Sequence, residues 1–189
     1  MNPDAEIPGD TIDIHHCPEF LGHVFVHHSA IARFYAPSEI CGRHGMHKER
    51  IHACPMWRKE APRYDCVFIN QDPDKDGFQG LYVARVLCFF SFTHQSVLYP
   101  CALIHWFSAV GDSPCPDTRL WVVEPEYSAD GTPHKAVIHL DCILCAAHLM
   151  GVAGQEFLPL GFSCHDSLDA FQSFYVNKLI DGHAHEIAF

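Results

Sequence analysis

Leu81-Tyr82-Val83-Ala84-Arg85-Val86-Leu87-Cys88-Phe89-Phe90-Ser91-Phe92 is followed, after Thr93-His94-Gln95-Ser96, by a second apolar run from Val97 to Phe107. Both runs are rich in β-branched and aromatic side chains and have the length of strands rather than helices. The polar stretch between them is short enough to reverse the chain, so the two runs read as a buried antiparallel hairpin. No catalytic signature lies in or beside it.

Outward from this hairpin, Arg63 to Asn70 reads as a strand and Asp72-Pro73-Asp74-Lys75-Asp76-Gly77 as a turn. Upstream, Phe20 to Val26 is a candidate first strand, and His27 to Pro37 a short helical or extended piece that ends before the proline. Ser38 to Pro62, with Gly42, Gly45, Pro55 and Pro62, reads as a long irregular loop, and loops of that length tend to carry function. Downstream, Gly111 to Arg119 is a proline-bearing loop, and Leu120 to Tyr127 is a strand whose Pro125 marks an edge or a bulge. Asp130-Gly131 signals a tight turn back into a strand over Ala136 to Leu140. Asp141 is a plausible cap for a helix from Cys142 to about Met150. Leu168, Phe171, Phe174, Tyr175 and Leu179 share one helical face, which predicts a second helix over Ser167 to Ile180, with Ser167 a possible cap. The fold class expected is α+β, mostly antiparallel β, with five or six strands and two helices toward the C-terminus. Residues 1–19 read as a flexible N-terminal segment and 20–189 as a single β-rich domain.

The 189 residues suffice for one domain with a real core. Only 19% are charged while 12% are aromatic, so His, Ser, Thr, Asn and Gln must build much of the surface. Twelve Lys plus Arg against 23 Asp plus Glu give a net charge of −11, which disfavours direct nucleic-acid binding. One basic strip departs from this balance: Arg43, Lys48, Arg50, Arg58, Lys59 and Arg63, interleaved with His44, His47, His52 and Trp57. The first fourteen residues lack the apolar core of a secretory signal, and Arg85, His94 and His105 interrupt the longest apolar stretch below the length of a membrane span. An intracellular protein, cytoplasmic or nuclear and free of the membrane, is expected. The ten cysteines are scattered and mostly lie in apolar runs (Cys66, Cys88, Cys101), which reads as reduced buried thiols. Only Cys142 and Cys145 have the spacing of a redox or metal pair.

Several strings, His28 to Ser38, Arg63 to Phe68, Ala84 to Phe92 and Tyr99 to Phe107, together with Val137-Ile138-His139-Leu140-Asp141, Ala147-His148-Leu149, Leu168 to Phe171 and Phe174 to Asn177, resemble the C-terminal region of Plavaka-type transposon-encoded proteins of basidiomycetes. The resemblance runs from about Gly22 onward. It implies a region outside the transposase catalytic core, carrying no catalytic residue, in a small partly open barrel loosely like a bromo-adjacent homology domain. It further implies a stand-alone or truncated copy.

Candidate chemistry is sparse. Asp72-x-Asp74-x-Asp76-Gly77 imitates the opening of a calcium loop, but Val83 stands where the bidentate carboxylate belongs, so a turn is expected. His139 and Asp141 lie on one face of a strand, and His183 or His185 downstream would complete the two-histidine, one-carboxylate set that holds Fe(II), or a zinc site. Asp141 has a competing role as a helix cap, and no arginine follows the distal histidine to hold a co-substrate. Cys17-Pro18, Cys54-Pro55 and Cys115-Pro116 exceed the Cys-Pro count expected from composition, and a Cys thiolate can ligate haem. The histidine groups, His15-His16, His27-His28 and His44, His47, His52, would bind zinc or nickel adventitiously. Cys164-His165-Asp166 are neighbours in sequence only, which does not make a triad.

These observations favour a non-catalytic protein-interaction module without a cofactor. Its contacts with a protein partner are expected in the Ser38 to Pro62 segment, where Arg43, His47, Arg50, Trp57 and Arg58 are the candidate binding residues. The alternative is a small non-haem metal enzyme built on His139, Asp141 and His183.

Overall fold

A computed structural model describes residues 19–36, 45–72, 74–75, 77–154, 157, 160–180 and 182–188. The central hairpin is longer than its apolar core. Leu81–His94 (β6) pairs antiparallel with Val97–Ala109 (β7) from Val83 opposite Phe107 to His94 opposite Val97. The turn itself is only Gln95-Ser96, both with positive φ, the left-handed geometry that matches strand twist in a two-residue hairpin. A register shift between Val86 and Cys88 divides β6 into two halves with different neighbours.

On the first half, Cys66–Asn70 (β5) pairs with Leu81 to Arg85. From there the sheet runs on through β7 to Val122–Pro125 (β8), Phe174–Val176 (β12) and Leu149–Gly151 (β11), and on the other side of β5 to Ile143–Ala147 (β10). The two outermost strands, β10 and β11, are consecutive in the chain and separated by His148 alone. The seven-stranded path β10-β5-β6-β7-β8-β12-β11 thus bends round until its edges meet, giving a nearly closed barrel. Its interior holds Phe68, Val83, Phe107, Val123, Phe174 and Val176. A separate small sheet, Ser29–Tyr35 (β2), Met46–Trp57 (β3) and Ala61–Tyr64 (β4), sets Ile51 and Ala53 against the outer face of the same wall, on Val67, Ala84, Val86 and Ile104. Strands β5 to β7 are therefore buried on both faces, which explains why they read as continuous apolar runs rather than alternating ones.

Asp65 makes the corner between the small sheet and the barrel. Its carboxylate accepts from the His52 backbone N–H (2.8 Å), His52 Nδ1 (3.2 Å), Arg63 Nε (2.8 Å) and Arg63 Nη2 (3.2 Å). Its own N–H donates to the His52 carbonyl, and its carbonyl accepts from Val86 N–H. At one end of the barrel the short helix Ser167–Ala170 (α1) packs Leu168 on the core and binds Arg85 through Asp169, at 2.5 and 3.2 Å. The final helix is Gly182–Ala188 (α2).

Several expectations need correction. Cys142 to Met150 is not a helix: Asp141 sits only in a 3-10 turn over Leu140–Cys142, and the chain then supplies β10 and β11, because the free edge of β5 takes Ala146 and Ala147 as ladder partners. The helix expected over Ser167 to Ile180 stops at Ala170. Phe174 and Val176 then point into the core from β12 with a period of two, and Ser163 with Asp166, rather than Ser167, forms the capping box. The segment Ser38 to Pro62 is no loop where it is described, since β3 and β4 occupy most of it; Pro55 falls where the β3–β4 register shifts. The first strand starts at Val24 (Val24–His27, β1), and the piece after it is extended, not helical. Among the described residues there are twelve strands, twice the number expected, and only two short helices. Residues 1–18, including His15, His16 and Cys17, lie outside the described residues, as do Arg43, His44 and Asp76.

Candidate interaction surfaces

The second half of β6 and the start of β7 extend past the barrel and gain two strands of their own. β1 pairs with Phe89 to Phe92, and Lys135–His139 (β9) pairs with Cys101 to His105. The order β1-β6-β7-β9 forms a four-stranded apron. Pair by pair, its ladder places Val24, Val26, Phe90, Phe92, Tyr99 and Val137 on the face that continues the barrel interior. Outside the barrel that face is largely exposed among the described residues. Val24, Val26 and Val137 are 51%, 62% and 58% exposed. Phe90, Phe92 and Tyr99 stack as a ladder, with centroids 6.5 and 5.2 Å apart, and Phe20 packs on Phe92 at 5.0 Å. The outer edges of β1 and β9 have no strand partner among the described residues. β1 carries no Lys, Arg, Pro or acid, the usual devices by which an edge is protected.

The residues anticipated for binding are placed on β3 and just after it. His47 and Trp57 are half-buried, while Arg50 and Arg58 are exposed. Trp57 is packed by the His52 ring at 4.3 Å and stacked by Arg63 and Arg58 at 5.0 and 5.7 Å, so it acts as a rivet for the Asp65 corner rather than an open aromatic platform. Lys48 and Arg50 belong to the outer face of the β2–β3 ribbon, and with them stands Arg33, which sequence reading did not single out. Only the strand register reveals it, since Arg33 lies directly opposite Lys48.

Of the anticipated metal set, His139 and Asp141 are adjacent and exposed. The Asp141 backbone N–H donates to His139 Nδ1 at 3.3 Å, and Oδ2 lies 3.4 Å from the same nitrogen. That hydrogen bond occupies the Nδ1 lone pair, so the His139 ring caps the turn over Leu140–Cys142. The His183 side chain lies outside the described ones, and among the described residues no three His, Cys, Asp or Glu side chains converge as metal ligands. Asp72 accepts from Asp74 N–H and faces Lys75, as a turn requires. Cys142 is exposed and Cys145 is buried in the barrel. Cys54 donates to the Met56 carbonyl from within β3, and Cys115 remains in a loop.

A cleft of about 340 Å³ lies between the small sheet and the barrel seam, lined in part by Glu49, Arg50, Arg63, Asp65, Cys66 and His148. Three of its charges are spent on the fold: Glu49 accepts from Ala146 N–H, and Arg63 pairs with Asp65. Burial pushes the Cys66 thiol up to about 12, overcoming the pull of the Arg85 cation, so this sulfur is no nucleophile. No helix among the described residues is long and apolar enough to cross a membrane. Comparison of the chain with protein-family models, with curated proteins and with solved structures finds no match.

Proposed function

We propose that this protein is a non-catalytic protein-interaction module, in line with the region of transposon-encoded proteins that its sequence resembles. The observation that carries the reading is the apron: an apolar sheet face continuous with the barrel core, largely uncovered among the described residues and flanked by an unprotected edge strand. Such an edge accepts a further strand through main-chain hydrogen bonds, while the apolar face supplies affinity. With Phe20 and Leu21 included, the apron offers on the order of 600 Å² of apolar surface, against roughly 800 Å² per partner in a standard interface. Its one lysine, Lys135, stands on β9 at the edge opposite β1 and does not oppose pairing there, so the occupant is a second copy, with β1 laid antiparallel on β1 about a two-fold axis.

Sedimentation velocity over micromolar concentrations tests this. The unmodified protein should sediment as a concentration-dependent dimer, and Val26→Lys, which places a charge on an already exposed position of the edge, should be monomeric with an unchanged melting temperature. A monodisperse monomer for the unmodified chain at all concentrations would reject homotypic docking.

A further inference from the structure

The ribbon formed by β2 and β3 carries a second surface that shares no residue with the apron. Its inner side chains, among them Phe34 and Ile51, are buried against the barrel wall. Its outer face is set by the register: Tyr35 opposite Met46, Arg33 opposite Lys48, and Ile31 opposite Arg50. All six side chains are exposed. No acidic residue lies among them. Glu49, the carboxylate nearest in sequence, points to the other face and accepts from Ala146 N–H. Arg50 reaches only the Ser29 hydroxyl, at 3.1 Å, and neither Arg33 nor Lys48 has an ion-pair partner among the described residues. Two cations directly opposite on a ladder repel one another, so the fold retains a pair that works against it. On a chain of net charge −11 this concentration of unpaired positive charge stands apart from the rest of the composition.

We propose that the outer face of the β2–β3 ribbon binds an extended acidic peptide segment of a protein partner. Among the described residues, β3 pairs over Met46 to Arg50 with β2 alone, because β4 joins only from Ala53 onward, and that stretch of edge can take an added strand. Side chains on one face of a strand recur every second residue, about 7 Å apart, which is the spacing of Lys48 and Arg50. A segment with Asp or Glu at alternate positions therefore sets its carboxylates against the cations, and Ile31, Tyr35 and Met46 receive the aliphatic parts. Three cations suit a short peptide. They fall below the six to ten phosphate contacts typical of a tight nucleic-acid site, and the net charge of the chain repels a long polyanion.

Fluorescence anisotropy with the full chain and a fluorescein-labelled (Glu-Thr)5 peptide at low salt tests the proposal. Saturable binding is expected, weakened at least tenfold by Lys48→Ala and by Arg33→Glu, and unchanged by Arg119→Ala, an exposed cation outside both surfaces. Arg33→Glu replaces a repulsive cross-strand pair by an attractive one, so its melting temperature should equal or exceed that of the unmodified chain while binding is lost. The proposal is overturned by an absence of saturable binding, by binding indifferent to both ribbon substitutions, or by tighter binding of a labelled twelve-nucleotide single-stranded DNA. A fall in melting temperature for Arg33→Glu would also overturn it, since the pair would then be part of the fold.

Discussion

Replacing Asp65 by Ala should destabilise the protein far more than replacing any surface carboxylate. The substitution deletes one acceptor that serves four donors at 2.8 to 3.2 Å. The two Arg63 bonds contribute little, because that side chain is 42% exposed and water replaces the carboxylate, so about 0.5 kcal/mol is expected from them. The two His52 donors decide the outcome. His52 is only 7% exposed, beneath Trp57, and its backbone N–H would be left without a partner at a cost of about 1–3 kcal/mol, with roughly 1 kcal/mol more for the ring. The sum is about 3 kcal/mol, or some 6–12 °C in melting temperature at 2–4 °C per kcal/mol for a domain of this size. Asp65→Asn keeps one carboxamide oxygen for the His52 N–H and should lose less than half as much. Urea unfolding with the slope held constant reads the difference directly. If Asp65→Ala costs under about 1 kcal/mol, or if Arg63→Ala costs as much as Asp65→Ala, the buried His52 amide is not what the corner depends on.

Gln95 and Ser96 hold positive φ without the glycine or asparagine that tolerates it, so the double replacement Gln95→Asn and Ser96→Gly should stabilise the hairpin by about 1 kcal/mol in thermal unfolding. The Cys66 thiol is neutral in the fold up to about 12 but ionises near 9 once unfolded, so its contribution is fully present below pH 9 and is lost as pH rises from 9 to 12. Accordingly, stability measured across that window should fall less steeply for Cys66→Ala than for the unmodified chain. The Thr118 hydroxyl, followed by the Thr118 and Asp117 N–H groups, holds the Cys115 thiol below its ordinary range, while Cys66 and Cys145 are buried. At neutral pH, iodoacetamide followed by peptide mass spectrometry should find Cys115 modified well before Cys66 or Cys145, and Thr118→Val should slow that reaction.

The hairpin was legible because its side chains are apolar on both faces whichever partner covers them. That β5 is a strand and that a turn precedes β9 follow from local pattern as well, but the strand read over Arg63 to Asn70 breaks at Asp65, with Tyr64 in the small sheet, and β9 pairs with β7 rather than folding back on β8. The C-terminal third was misread because Leu168, Phe171, Phe174 and Tyr175 satisfy a helical period, while the strand period of Phe174 and Val176 is so short that only the docking of Phe174 between β8 and β11 decides between them. Met46 to Arg50 looked like loop because its exposed face is charged and its buried face is short, and the ribbon becomes a strand only when β2 lies beside it. The surfaces fared unevenly. Arg50 and its neighbours stand out in composition, but the Arg33 partner and the apron depend on cross-strand register, which a single sequence does not encode at any fixed spacing.

The seam at His148 bears on how this chain is made. β11 leaves the ribosome directly after β10, yet it has nothing to pair with until β12 emerges more than twenty residues later, and β8 waits nearly fifty residues for the same strand. The nascent chain therefore passes through an interval in which the hairpin, β5 and β10 are assembled while the barrel stands open and Phe107 and Val123 face water. Ring closure is a late, long-range step, slow by its contact order. A chain truncated before Phe174 would keep most of its strands and still present an unclosed sheet, the form most prone to associate with its neighbours.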